Sequence, residues 1–378
     1  MRWSPLWAGV LIAALLWPLA LPGQLALRDM VVLDSPALSP GALGTGDLPA
    51  RNAPQDGLLA LLGTFLPASW VARALIVGGA AAGAVGAVWL ARVQRAGRLA
   101  TLASVTIVLW NPFVVERLLQ GHWSLVIAGW LLPLIAAAGL SGSTAISWLA
   151  MWAASLTPTG ALFALVTGVA TLRGRRLPTL LVGLLCSLPW LVPGLLGGGG
   201  TASAESAVAF APRAEGYVGT PGALLGLGGI WNAGAVPASR EAGFAVAGVL
   251  LFACLVPFAH RVPAPLLWLA AAGLGSAASA WLLPGVVGWV VAAVPGAGLL
   301  RDASKLVVLA LPAYGAAAAS TGNRWVAGLV LGLALYALLD LSASKEEDRG
   351  GLPRWLWVVI IVLLPVFGAL AWIVVKHS

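Results

Sequence analysis

Long apolar runs, broken only by short clusters of arginine, glycine and proline, recur along almost the whole of this chain. Each approaches the roughly 20 apolar residues that carry a helix across a hydrocarbon core. A chain that repeats such runs has lipid as its main solvent. The composition agrees: of 378 residues, 60% are hydrophobic and 9% charged, whereas a soluble domain is about 25% charged. Little material is left for a soluble catalytic domain, so any chemistry belongs to short loops at the membrane surface.

Run length and punctuation predict an all-α, polytopic integral membrane protein with about 12 transmembrane helices, in a range of about 10 to 13. The expected spans lie near 5–27, 69–91, 99–113, 124–140, 144–156, 159–172, 178–197, 242–259, 264–283, 303–320, 325–342 and 355–375. The short pair 144–156 and 159–172, joined by Thr157-Pro158-Thr159-Gly160, reads as one broken or re-entrant unit. The segment 285–293, flanked by Pro284 and Pro295, reads as an interfacial helix. Met1-Arg2 and the apolar run after it could open a secretory signal with a weak cleavage site at residues 23–26, and we expect an uncleaved first span.

Charge sets the expected orientation. With both termini cytoplasmic, Arg2, Arg92, Arg95, Arg98, Arg173, Arg175, Arg176, Arg261, Arg324 and Lys376 fall inside, and all 13 acids fall outside. The short loops around Arg92 to Arg98 and Arg173 to Arg176 carry that expectation, since the positive-inside rule concerns Lys and Arg in short loops. The net charge of +8 is spread over such groups, with no basic stretch long enough to track a phosphate backbone, so nucleic acid is not an expected partner. Cys186 and Cys254 sit inside apolar runs, where a thiol behaves as a small hydrophobe. The lipid bilayer of a bacterial plasma membrane is the expected surrounding.

Two long outer loops, 28–69 and 198–241, stand out, and long loops in a compact protein are functional or disordered. Residues 52–66 carry a short helical pattern suited to lying flat on the outer leaflet. Four polar clusters are expected to face outward. The first holds Asp34, Asp47 and Arg51, preceded by Arg28-Asp29. The second is Asn111-Pro112-Phe113 with Glu116-Arg117 and Gly121-His122-Trp123. The third is Leu300-Arg301-Asp302-Ala303-Ser304-Lys305. The fourth joins Arg213 to Glu215 with Arg240-Glu241.

A lipid phosphate at a membrane surface needs cations for its phosphate and an acid that takes a proton or binds a divalent cation. Arg117, Arg301, Lys305 and Arg51 are candidates for the first role. Asp47, with Asp34 as second choice, is the candidate for the second. Glu116, His122 and Asp302 are supporting candidates. Plainer alternatives stay open: Glu116-Arg117 and Arg301-Asp302 as headgroup anchors or local ion pairs, Asp47 as a turn residue after Gly46, and His122 as an interfacial hydrogen-bonding side chain.

The stretch Asn111-Pro112-Phe113, Glu116-Arg117, Gly121-His122-Trp123-Ser124 resembles a segment between the third and fourth spans of multi-spanning envelope glycosyltransferases that use lipid-linked sugars, among them actinobacterial arabinofuranosyltransferases. Leu300 to Lys305 resembles an outer segment of the same superfamily. The resemblance covers roughly residues 1–320 in architecture and two short stretches in sequence. It implies a polyprenyl-phosphate sugar as donor and an essential acid in the first outer loop, which lands on Asp34 or Asp47, with Arg117 and Arg301 as phosphate contacts. No Asp-Asp, Asp-Xaa-Asp or Glu-Xaa-Asp pair occurs in that loop.

Residues 325–378 read as a second unit, a helical hairpin. An apolar run ends at Asp340-Leu341, a connector holds Lys345-Glu346-Glu347-Asp348-Arg349, and Leu352-Pro353-Arg354-Trp355 leads into a run containing Pro365 and Gly368. This resembles the N-terminal membrane hairpin of cardiolipin synthases, the phospholipase D nuclease N-terminal module. The chain has no His-Xaa-Lys, the nucleophile pattern of phospholipase D chemistry, so that reaction is not expected. Two functions fit: a sugar transferase on the outer face, or a non-catalytic scaffold or assembly partner that engages other membrane proteins.

Overall fold

A computed structural model describes residues 3–46, 50, 52–197, 202–238, 240–322, 328 and 332. The fold is helical, with one two-stranded hairpin. Its elements run α1 (Ser4–Leu16), β1 (Leu25–Leu27), β2 (Met30–Val32), α2 (Gln55–Leu62), α3 (Ala68–Val93), α4 (Arg98–Leu109), α5 (Pro112–Gln120) and α6 (Trp123–Leu140). They continue with α7 (Thr144–Ala154), α8 (Pro158–Thr171), α9 (Arg176–Leu196), α10 (Ala204–Ala209), α11 (Gly219–Leu225), α12 (Ala245–Leu255), α13 (Ala264–Leu282) and α14 (Pro284–Ala293). A 3-10 stretch (Ala303–Ala310) then runs into α15 (Leu311–Ala319).

Helix α6 is the central post, with every residue buried except Leu134 and Leu140. It is apolar all round, as a helix with neighbours on every side must be. Helix α3 packs along it through glycines: a Cβ on Gly79 would lie 3.0 Å from Ile127, one on Gly83 3.0 Å from Trp130, and one on Gly86 2.4 Å from the Leu134 backbone nitrogen. Small residues at this spacing let two backbones approach, which is how helices gain dispersion contacts where lipid offers no hydrophobic driving force. Helix α9 shows the complementary pattern. Only Thr179, Gly183 and Ser187 are buried, and Leu181, Leu185 and Leu195 are exposed on other faces. That is the face distribution of a peripheral helix surrounded by lipid tails.

Among the described residues, five helical units are long and apolar enough to cross a membrane: Ala68–Val93, Arg98–Gln120, Trp123–Leu140, Arg173–Leu196 and Ala264–Leu282. Six shorter apolar helices of 10 to 17 residues accompany them among the described residues. The expectation of about 12 spans counted both kinds alike. The unit expected at 99–113 extends to Gln120, because Asn111 and Pro112 break the helix and restart it rather than ending the crossing. The expected broken unit is α7 and α8, with the Thr157 hydroxyl accepting from Gly160 N at 3.0 Å to cap α8. The expected interfacial segment is α14, and the pattern at 52–66 gives α2.

The bundle has two distinct ends. At one, the Gln94 amide donates to Arg261 O at 3.0 Å and to Ser320 Oγ at 2.7 Å, joining the α3–α4 turn to the ends of two other segments. At the other, the hairpin β1–β2 pairs Leu25 with Val32 and Leu27 with Met30 and sits on the turn between α5 and α6. The second long loop is not an open excursion. It contains α10 and α11, and Glu215 and Arg240 within it are buried. The C-terminal unit at 325–378 lies outside the described residues except for positions 328 and 332.

Candidate functional site

The site is built on the short helix α5. Asn111 starts it: its side-chain oxygen accepts from Val114 N at 3.2 Å and its amide donates to Ile107 O at 3.0 Å, so one residue satisfies orphan groups on both sides of the break. Pro112 follows at the first helical position, where its missing N–H costs nothing. Gly121 ends the helix at φ 93°, and a Cβ there would lie 2.3 Å from Met30 N. That close approach lets the hairpin turn Arg28-Asp29 sit on the end of α5. The Arg28 guanidinium donates to the carbonyls of Leu119 and Gly234, and Asp29 N donates to Gln120 O at 3.1 Å.

Arg117 is the hub. Its guanidinium makes a two-pronged contact with Asp302, Nη1 to Oδ2 at 2.5 Å and Nη2 to Oδ1 at 3.0 Å, and Nη2 also reaches Ser304 Oγ at 2.7 Å. Ser304 in turn donates to Asp302 Oδ1 at 2.8 Å. His122 Nδ1 lies 3.2 Å from Arg117 Nη1, and its Nε2 lies 2.9 Å from Asp29 Oδ2, which also accepts from Gln120 Nε2 at 2.9 Å. Because arginine can only donate, Nδ1 is the accepting nitrogen and Nε2 carries the proton toward Asp29. A polar chain therefore runs from exposed Asp29 through His122 and Arg117 to buried Asp302. Beside it, Lys305 Nζ donates to Thr159 Oγ1 at 3.0 Å.

The electrostatics follow from this geometry. Burial by itself would raise the Asp302 carboxyl, but the charge and hydrogen bonds of Arg117, with Lys305 and Ser304, hold it down at about 2. Burial and the adjacent Arg117 charge lower the His122 imidazole to about 4, against the opposing pull of Asp302 and Asp29. The histidine is neutral at ordinary pH, in the tautomer its two neighbours select.

A second buried cluster lies back to back with the first. Glu116 Oε2 accepts from Ile230 N at 3.1 Å, and its Oε1 stands 3.5 Å from Arg240 Nε. Arg240 Nε donates to Glu215 Oε2 at 2.6 Å, and Gly229 N donates to Glu215 Oε1 at 2.7 Å. A Cβ on Gly228 would fall 2.5 Å from Glu215 Oε1 and 2.7 Å from Glu116 Oε1, so the chain passes over the carboxylates as glycine.

These positions correct several expectations. Glu116 and Arg117 are buried at 2% exposure each, not outward-facing headgroup anchors. They do not pair with each other, because adjacent helical positions point to different sides. Asp302 pairs with Arg117 rather than with Arg301, whose guanidinium stacks 4.6 Å from the Phe210 ring centre. The fourth expected cluster splits: Glu215 and Arg240 are buried together, while Arg213 and Glu241 make an exposed contact at 3.7 Å. Asp34 accepts from the Ser69 hydroxyl and its carbonyl takes Ala68 N at 2.9 Å, tying the first long loop to the start of α3. Asp47 and Arg51 lie outside the described residues.

The structure thus brings Arg117, Asp302, His122 and Lys305 to one end of the bundle. Asp29, Gln120 and Ser304, which belonged to the expected polar clusters without an assigned role, join them, and Thr159 is added. The two-residue polar turn between Leu25-Ala26-Leu27 and Met30-Val31-Val32 is a hairpin signal that places Asp29 at a tight turn. Among the described residues, no group of three or more His, Cys, Asp or Glu side chains is placed to hold a metal ion.

Residues 332–376 match the phospholipase D-nuclease N-terminal family. The match supports the resemblance read from the C-terminal sequence and is confined to that part of the chain. No curated protein and no solved structure matches the chain. Apolar helices and this module together describe a helical membrane protein.

Proposed function

We propose that the chain is a multi-pass protein of the bacterial plasma membrane that uses the Arg117 end of its bundle to hold a polyprenyl-phosphate sugar for transfer to an envelope acceptor. One observation supports this above the rest. The two stretches that resemble lipid-linked-sugar transferases meet through the Arg117–Asp302 contact, across 185 positions of sequence. Ionisable side chains gathered inside an apolar bundle are costly, and such groups ordinarily serve function. In this reading Lys305 and Arg301 contact the phosphate, and Arg117, engaged by Asp302 and Ser304, positions the segment that carries them. Asp47, or else Asp34, is the base or the ligand of a divalent cation, and Arg51 is a further phosphate contact. The arginine-rich end around Arg95 and Arg261 faces the cytoplasm, with both termini on that side.

The test compares lipid-linked sugars and envelope glycans in cells with the gene, without it, and with Lys305→Met or Asp47→Asn in its place. Accumulation of an undischarged donor in the deletion and in both variants is expected. Unchanged glycolipids in the deletion strain would refute the proposal.

A second reading, a non-catalytic scaffold for other membrane proteins, is favoured by a different observation: Arg117 and Arg240 both pair with carboxylates of this same chain. Isolation from mild detergent as a lone monomer would argue against that role.

A further inference from the structure

The arginine-rich end carries a feature that sugar transfer at the opposite end does not use. A cavity of about 320 Å³ opens there, lined by Gln94, Arg95, Gly97, Arg261, Ser320 and Thr321. We propose that this cavity binds the phosphate of an acidic phospholipid.

The charge is one-sided. The α3–α4 turn carries Arg92, Arg95 and Arg98, Arg261 stands across the cavity, and none of the eight acids at described positions belongs to the cavity lining. Arg95 and Arg261 are both exposed, so their guanidiniums are available to an incoming anion. Arg261 is oriented by Nη1 donating to Ser320 O at 3.0 Å and by Nε lying 3.3 Å from His260 Nε2. Arg95 sits at φ 53°, in the left-handed position after a helix where glycine is the favoured residue. A charged side chain is held at a position whose backbone alone would select glycine. Helix α4 begins at this cavity with Gly97 as its cap and no side chain capping its first N–H groups, which adds donors to the cations already there.

The depth fits a lipid headgroup. On the other flank of the same turn, the Arg98 guanidinium stacks 5.0 Å from the exposed ring of Trp3, beside a second cavity of about 210 Å³. An indole and a guanidinium together mark the interfacial zone, where the phosphates of the bilayer lie. Basic pockets between helices at this level take acidic headgroups. Planar guanidiniums match phosphate oxygens in two-pronged fashion.

The experiment uses the full-length protein in phosphatidylcholine nanodiscs with and without phosphatidylglycerol, reading the retained lipid by native mass spectrometry and the melting temperature. The cavity variant Arg95→Gln with Arg261→Gln is compared with Arg173→Gln with Arg175→Gln, which removes equal charge outside the cavity lining. Glutamine at 95 meets the same backbone demand as arginine, so the comparison isolates the charge. With two arginines near an anionic surface removed, the cavity variant should hold phosphatidylglycerol about 30-fold less tightly. The control pair should keep it, and Arg95→Lys with Arg261→Lys should keep most of it. Equal loss in the cavity and control variants would overturn the site in favour of diffuse attraction, and no loss in either would overturn it outright. Equal stabilisation by inorganic phosphate in pure phosphatidylcholine would overturn the lipid assignment and leave a soluble phosphate as ligand. The readout does not depend on sugar transfer, so this inference and the proposed function fail separately.

Discussion

Replacing Asp302 by Asn keeps the shape of the Arg117 partner and removes its charge. Arg117, with 2% of its surface exposed, is then left as a buried cation without a counter-charge. Breaking a buried pair from one side costs about 3–5 kcal/mol, most of it the desolvation of the stranded ion. For a chain of this size each kcal/mol moves the melting temperature by about 2 °C, so Asp302→Asn should melt about 6–10 °C lower in detergent, followed by tryptophan fluorescence. The double variant Arg117→Met with Asp302→Asn removes both charges and should recover a large part of that loss, because an ion pair taken out of water gains little over an apolar filling. The pH dependence checks the same contact. The folded carboxyl sits at about 2 against an ordinary 3.8, so its contribution of about 2 kcal/mol is complete above pH 3.8 and fades as the pH falls toward 2. Asn at this position should abolish that acid-limb slope. A melting point for Asp302→Asn within about 2 °C of the native value, or a double variant less stable than the single one, would refute the reasoning.

Three further outcomes are expected. Gly86→Ala places a methyl 2.4 Å from the Leu134 backbone, so α3 and α6 must separate, and a loss of about 1–3 kcal/mol should appear as an earlier thermal transition. Gly121→Ala meets Met30 N at 2.3 Å in a left-handed turn and should lift the hairpin off α5, exposing residues 25–32 to hydrogen exchange while the α3–α6 core stays protected. The His122 imidazole, lowered to about 4 from 6.5, stabilises the fold fully above pH 6.5 and progressively less as the pH falls to 4, because the unfolded chain takes up the proton first. His122→Gln should flatten that slope, which is partly screened in the native protein because the side chain is 26% exposed.

Helical architecture was legible because its signal is local. An apolar run needs only its own composition to demand a helix in lipid, and Thr157-Pro158 or Asn111-Pro112 announce a helix start through hydrogen bonds to residues three places on. Partner choice was not legible. Glu116 and Arg117 looked like a neighbouring ion pair, and so did Arg301 and Asp302, because one-dimensional proximity is all a sequence displays. The helix turns adjacent side chains apart, and the real partners stand more than 90 positions away. The same limit hid the second long loop: the Glu116 and Glu215 carboxylates beneath Gly228 are not its neighbours along the chain. The 111–124 and 300–305 stretches were linked beforehand only through family resemblance, and Asp29 was grouped with the first loop because nothing in the sequence shows that it reaches Gln120 and His122.

The divergence of Glu116 and Arg117 has a bearing on biogenesis. During synthesis α5 reaches the membrane long before Glu215, Arg240 or Asp302 exists, carrying two opposite charges on consecutive residues. Until those later segments are made, both charges lack the partners they hold in the fold. Each charge on α5 meets its partner from the second half of the chain, Asp302 for Arg117 and Arg240 for Glu116. A nascent polypeptide halted before residue 215 would therefore hold its fourth and fifth helices loosely, and the bundle would close only once the last-made cationic and acidic segments were in the bilayer.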